Sequence, residues 1–157
     1  TGIVNTSPAM TYISIRPERF SYPIIKASRE FVINLTGKSL VRAADFCGVR
    51  SGRDIDKFAH CHLTALPASE VGAPLIEESP VSLECRVEQI IPLGSHDMFL
   101  SKIVAVNVDE SVIEESGRLN MEKCELIAYV HGAYYGLGKR LGTFGYTVKK
   151  KAKKHRG

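Results

Sequence analysis

The segment Ser14-Ile15-Arg16-Pro17-Glu18-Arg19-Phe20-Ser21-Tyr22-Pro23 leaves a run of β-branched residues, turns at a proline and enters a helical pattern. Two guanidiniums, Arg16 and Arg19, and the Ser21 hydroxyl arrive together at that helix start. Such an assembly suits a phosphate. Arginine offers forked, charge-assisted hydrogen bonds, and a helix start adds free N–H groups and a positive dipole. The alternative is a solvated turn in which Arg19 pairs with Glu18 or Glu30. A second segment, Gly48-Val49-Arg50-Ser51-Gly52-Arg53-Asp54-Ile55-Asp56-Lys57-Phe58, mixes glycine, serine and basic residues in the manner of a phosphate loop. It is no P-loop, because its lysine follows no glycine and precedes no Ser or Thr. On pattern alone it reads as an exposed helix start, with Asp54 and Asp56 placed to suit the dipole. Gly94-Ser95-His96-Asp97 offers a histidine at a bend, either a ligand-facing group or an ordinary turn residue.

Other chemistries find little support. His60-Cys61-His62 has the look of a metal cluster, but Cys47, Cys85 and Cys124 are scattered singly and no second ligand pair stands at zinc spacing. The four cysteines read as reduced, with Cys47 and Cys85 on apolar faces as small hydrophobes. No order of Ser, His and Asp argues for a triad, and no GxGxxG follows a strand. No protein nucleophile is expected.

The elements that must position these groups are mostly strands. Met10 to Arg16 reads as a strand ended by Pro17, and Phe31 to Leu35 as another. A short helix is expected over Ile24 to Ser28, with Ser21 as its cap and Pro23 in its first turn. Leu40, Ala43, Ala44 and Cys47 make one apolar helical face, so Ser39 to Cys47 is a helix with Gly48 as its stop. Val49 to Asp54 is a polar loop, and Ile55 to Ala59 a further helical turn. In Val81 to Glu88, Val81, Leu83, Cys85 and Val87 alternate with Ser82, Glu84, Arg86 and Glu88, which predicts one buried and one wet face. Ile90 to Asp97 connects it to a partner strand, Met98 to Val108, and Leu126 to Tyr135 is one more strand. Strands outnumber helices, which favours a mainly β barrel with inserted helices.

The chain has 157 residues, 44% apolar and 24% charged, which is one domain of ordinary globular composition. Its net charge of +4 is uneven: six of 21 basic residues lie between Lys149 and Arg156, and without them 15 basic face 17 acidic residues, a net of −2. A mildly acidic body with a basic tail (146–157) excludes a uniformly basic nucleic-acid-binding domain. The tail reads either as a solvated terminus or as a phosphate-binding arm. No apolar run approaches the length of a membrane span. Residues 1–10 carry no signal-peptide pattern, and a cytoplasmic location is expected.

Taken together, several stretches resemble the flavin reductase-like family of FMN-binding split barrels, in its flavoredoxin branch. They are Thr1-Gly2-Ile3-Val4-Asn5-Thr6-Ser7-Pro8, the Ser14 to Ser21 turn, Glu30-Phe31-Val32-Ile33-Asn34-Leu35, the Cys47 to Phe58 loop, Gly94-Ser95-His96-Asp97-Met98-Phe99 and His131-Gly132-Ala133-Tyr134-Tyr135-Gly136-Leu137-Gly138. They run over residues 1–145 in the family's order. The resemblance implies a six-stranded split β-barrel of Greek-key character and a homodimer with FMN near its interface. It places Ser21 on the FMN phosphate, with Ser14, Arg16 and Arg19 in the same turn. It brings Lys57 to the flavin, His96 to the ring or ribityl end, and Tyr129 beside the isoalloxazine. The opening Thr1 and Gly2 join the cofactor-binding residues. Electrons would come from NAD(P)H or a redox protein. The alternative is an FMN electron carrier without NAD(P)H activity. The resemblance also implies a hairpin and a tryptophan ahead of Thr1, so the N-terminal strands are expected to be missing from this chain.

Overall fold

Two twelve-residue strands, β6 (Val81–Pro92) and β7 (Asp97–Val108), pair along almost their whole length. They form the centre of the molecule, described here from a computed structural model over residues 2–149. Around this hairpin β1 (Ile3–Thr6), β2 (Ala9–Ile15) and β3 (Glu30–Asn34) complete a five-stranded sheet in the order β1-β2-β7-β6-β3. Every pairing is antiparallel. The mainly β class with inserted helices is therefore as the sequence predicts, with five strands in the principal sheet. Three helices interrupt the strands: α1 (Ser21–Ser28), α2 (Val41–Val49) and α3 (Lys57–Cys61). Two short ribbons, β4 (Ala65–Leu66) with β5 (Leu75–Ile76) and β8 (Ile127–Val130) with β9 (Ala133–Gly136), lie outside that sheet. The basic segment 150–157, most of the tail singled out above, lies outside the described residues.

One core forms where α1 covers the sheet. Phe31, Cys85, Val87 and Phe99 are buried there, with Ile13, Tyr22 and Ile25 packed against them. The Tyr22 ring meets Phe99 edge-on at 5.6 Å between centroids, and its hydroxyl donates to Asp97 Oδ2 at 2.6 Å. This anchors α1 to the start of β7. A second cluster gathers Val81, Val112 and Cys124.

Several local expectations are corrected. Helix α1 begins at Ser21 itself, and Phe20 takes the cap position without any side-chain cap bond. Pro23 sits in the first turn as expected, where a missing N–H costs nothing. Helix α2 follows a 3-10 turn over Lys38–Leu40 and runs past Gly48 to Val49, so Gly48 is no stop and Ser39 no cap. Helix α3 starts later than Ile55, at Lys57, because Asp56 caps it by accepting the Ala59 N–H at 3.1 Å. Strand β6 continues to Pro92, since Ile90, Ile91 and Pro92 find partners in Phe99, Met98 and Asp97. The single strand expected over Leu126 to Tyr135 is a hairpin. His131 and Gly132 both adopt left-handed φ values of 48° and 86°, the twist a two-residue turn demands.

The largest correction concerns β6. Ser82 and Glu84 were expected on a wet face, yet they are 4% and 0% exposed. The segment carrying β4 and β5 crosses that face, so both sides of residues 81–85 are covered. Ser82 Oγ donates to Asn34 Oδ1 at 2.8 Å. The Glu84 carboxylate accepts the N–H groups of Ser69, Glu70 and Val71, the Ser69 hydroxyl and the Asn107 amide, at 2.6–3.1 Å. Burial by itself would raise its pKa. The Ser69 N–H, the Asn107 amide, the Glu70 N–H and the Ser69 hydroxyl outweigh burial and hold it at about 2.

Candidate functional site

The turn after β2 and the loop between α2 and α3 face each other across an open cleft of about 720 Å³. Arg19, Phe20 and Ser21 form one wall, and Arg50, Ser51 and Lys57 stand on the other. Pro17 ends β2, and the chain tightens at once: the Arg19 N–H donates to the Arg16 carbonyl at 3.0 Å and the Tyr22 N–H to the Arg19 carbonyl at 2.9 Å. Those bonds set Ser21 at the first position of α1. No side chain caps the helix, and Ser21, in its first turn where the dipole is positive, lines the cleft.

Asp56 fixes the opposite wall by capping α3, which leaves Lys57 in the first turn. A cation is disfavoured at a helix start. The half-buried Lys57 side chain instead turns to the end of α2, where its Nζ donates to the Cys47 carbonyl at 2.6 Å. That carbonyl belongs to the last turn of α2, where carbonyls lack intrahelical partners and the dipole is negative. Lys57 thus joins α2 to α3 while its side chain lines the cleft. Glu18 and Asp56 also line the cleft, but Asp56 is engaged as a cap. The cations Arg19, Arg50 and Lys57 leave the site suited to an anion.

Of the residues singled out from sequence, Arg19, Ser21 and Lys57 share this cleft. Arg19 makes no pair with Glu30, whose carboxylate accepts the Gly72 N–H at 2.8 Å and pairs with Arg86 at 3.5 Å. Ser14, Arg16 and His96 lie together at the adjoining end of the sheet, outside the cleft walls. Ser14 pairs with Met98, and Ile15 with Asp97, so the strand leading to Arg16 runs beside the turn holding His96. The half-buried His96 has its Nδ1 2.9 Å from Ser95 Oγ. Tyr129 stands apart on β8, 66% exposed, its ring 5.1 Å from that of Tyr134. The Tyr134 hydroxyl donates to Asp45 Oδ1 at 3.2 Å, which joins the β8–β9 hairpin to α2. Gly2 lies at the sheet edge and accepts the Thr11 hydroxyl at 2.9 Å, while Thr1 lies outside the described residues.

Sequence pattern gave Phe20 no role of its own and favoured a solvated helix start over a phosphate loop for the segment with Arg50 and Ser51, and the structure makes all three cleft walls. Phe20 supplies an apolar surface, with the Arg53 guanidinium 5.8 Å from its ring centroid. Gly52 lies against that ring, and a Cβ there would stand 3.3 Å from Phe20 Cδ1. The available signal was the interleaving of Gly, Ser and Arg in the α2–α3 loop. Its reading as a solvated helix start could not foresee that α1 stands opposite.

The family model for the flavin reductase like domain matches residues 2–138, and the chain belongs to that family. A protein of Pyrococcus abyssi is 28% identical over 128 residues, covering 82% of this chain and 72% of that protein. An FMN reductase (NADH) of Rhizobium rhizogenes is 24% identical over 107 residues, covering 68% and 60%. Among solved structures, flavoredoxin of Desulfovibrio vulgaris (Miyazaki F) superposes with a TM-score of 0.86 at 31% identity, over 94% of this chain and 80% of that one. The fold is thus the split-barrel fold of the flavin reductase-like proteins. Among the described residues no helix is long and apolar enough to cross a membrane.

Proposed function

We propose that the chain binds FMN in the cleft between α1 and the α2–α3 loop and serves as a flavin reductase- or flavoredoxin-type oxidoreductase. The observation that carries this reading is the meeting of Arg19, Ser21 and Lys57 at the uncapped start of α1. This donor set fits a terminal phosphate monoester: two fixed charges, a hydroxyl and a helix dipole. A volume of about 720 Å³ lies in the range of small-molecule sites. Bound FMN would supply hydride and electron chemistry, which the protein positions and tunes. Arg19 and Lys57 neutralise the phosphate, Ser21 orients it, and Phe20 offers an apolar face. Arg16, Ser14 and His96, at the adjoining sheet end, line the path toward the ring. Tyr129, on its exposed hairpin, would join the site through a partner copy.

The electron donor is NAD(P)H or a redox protein, in keeping with an FMN reductase and an NADPH-flavin oxidoreductase among the relatives. The 31% identity to a flavoredoxin favours, as a second reading, an electron carrier that does not oxidise free NAD(P)H. We further propose a homodimer. Tyr129, Val130, Tyr135 and Leu137 are exposed together on the β8–β9 ribbon and just beyond it, and Ile3 and Val4 on edge strand β1. Exposed apolar groups so clustered mark an interaction surface. A visible spectrum followed by anaerobic NADH and NADPH titration tests the assignment. Flavin bands bleached by either nucleotide support the reductase. Bands that persist support the carrier, and a protein that takes up no FMN refutes both. Light scattering that gives a monomer mass with flavin bound would refute the dimer.

A further inference from the structure

Asp97 is held from three sides. Its backbone pairs with Ile15 at the end of β2 and with Pro92 at the end of β6. Its carboxylate accepts the Tyr22 hydroxyl at 2.6 Å. Ile15 and Tyr22 are the residues that bracket the turn 16–21, which carries Arg16, Arg19 and Ser21. Both feet of that turn therefore stand on one residue. The turn 93–96 ends at the same place. Its Leu93 N–H donates to the His96 carbonyl at 2.9 Å, and His96 directly precedes Asp97.

Tyr22 reaches Asp97 because a helix turns by about 100° per residue. Ser21 lines the cleft, and the next side chain faces the core of the sheet. Along β7 the side chains of Asp97 and Phe99 share a face. Tyr22 lies across both, its ring 5.6 Å from that of Phe99 and its hydroxyl on the carboxylate. Lys26, one helical turn on, donates to the same hydroxyl at 3.5 Å. The Tyr22 ring and Ile25 hold α1 on the core, but apolar contact is non-directional. The hydrogen bond is directional, and it fixes where the start of α1 stands relative to the end of the sheet.

We propose that the Tyr22–Asp97 bond is a clasp that closes the turn 16–21 against the His96 turn, and that Tyr22 and Asp97 are positioning residues for the flavin. The proposal rests on the flavin reading above, in which Arg19 and Ser21 take the phosphate and His96 stands toward the ring. A ligand gripped at both ends binds well only while the two grips keep their spacing. The clasp meets that ordering cost in the free protein. Without it the turn 16–21 is closed by backbone pairing at Ile15 alone, and the helix start is free to shift relative to His96. FMN, which uses both grips, loses affinity. Riboflavin has the same ring and ribityl chain but no phosphate, so the shift leaves its binding nearly unchanged.

The test titrates FMN and riboflavin into the full chain as wild type, Y22F, D97A and D97N, and follows quenching of flavin fluorescence. Y22F keeps the ring and removes only the hydroxyl. It is expected to weaken FMN roughly threefold to tenfold and riboflavin less than about twofold. D97A leaves the tyrosine whole and has the same effect. The double variant Y22F/D97A loses no more than either single one, since both act through one bond. In D97N the amide oxygen still accepts the phenol proton, so FMN affinity stays within about twofold of wild type. An unchanged preference for FMN over riboflavin in both Y22F and D97A overturns the clasp, whatever happens to the melting temperature, because a bond that only stabilised the fold would weaken the two flavins alike. Full additivity in the double variant overturns it as well. Wild type that takes up neither flavin refutes the flavin reading and the clasp with it. Wild type that prefers FMN, beside variants that keep that preference, refutes the clasp alone.

Discussion

Replacing Glu84 with glutamine isolates the role of the buried carboxylate beneath the β4–β5 segment. Its two oxygens accept five hydrogen bonds, from three successive N–H groups at residues 69–71, the Ser69 hydroxyl and Asn107 Nδ2. Glutamine keeps the shape and one acceptor oxygen. Its amide nitrogen then faces either the Glu70 and Val71 N–H groups, now 2.6 and 3.1 Å from an acceptor, or the Ser69 and Asn107 donors. Each lost bond to a charged acceptor costs about 1.5–3 kcal/mol, and donors are left opposed to a donor in a fully buried place. The expected loss is about 3–5 kcal/mol, or roughly 10 °C in melting temperature for a chain of this size. Urea unfolding followed by circular dichroism measures it at pH 7. The pH dependence supplies an internal check. A carboxyl whose folded pKa lies at about 2 against an ordinary 4.5 stabilises the fold fully above pH 4.5. That contribution declines as pH falls toward about 2. The gap between wild type and Glu84→Gln must therefore be full at pH 6 and narrow on acidification. Glu88→Gln, on the same strand and in an exposed pair with Lys102 at 3.0 Å, should cost under about 0.5 kcal/mol. A Glu84→Gln loss no larger than that of Glu88→Gln, or a gap independent of pH, would refute the role assigned to the carboxylate.

Three further outcomes are expected. Lys57→Ala and Ser21→Ala each weaken FMN binding by roughly ten- to a hundredfold through loss of a phosphate contact, measured by fluorescence titration; unchanged affinity in both removes them from the site. Burial, followed by the Glu84 charge, pushes the Cys85 thiol up to about 12. It should therefore alkylate last of the four in native protein and at an ordinary rate after unfolding, which timed iodoacetamide labelling with mass mapping would follow. Gly37→Ala places a Cβ 2.8 Å from the Cys124 carbonyl oxygen, a backbone atom that no side-chain rotation can move aside. It should cost about 1–3 kcal/mol, read as a lower urea midpoint with an unchanged slope.

Local chemistry made much of this molecule legible. The alternation of β-branched and polar residues marks β2, β3 and the β6–β7 hairpin, because a pleated strand with a core to cover must repeat every two residues. Pro17 and Pro23 mark the turn and the helix start that gather Arg19 and Ser21, since proline restricts the backbone at its own position and the one before it. The same local rules misread Ser82 and Glu84. Their polarity promised a wet face, but a segment distant in sequence covers it and supplies the donors that make a buried charge tolerable. Nor could pattern show that Lys57 would turn back to cap α2 at the Cys47 carbonyl, or that the Phe46 ring would stack on His60 with centroids 4.1 Å apart. Those contacts join residues whose spacing carries no periodic signal. They exist because α2, α3 and α1 are packed around one cleft, and packing places side chains by position in space, to which order along the chain is only a partial guide.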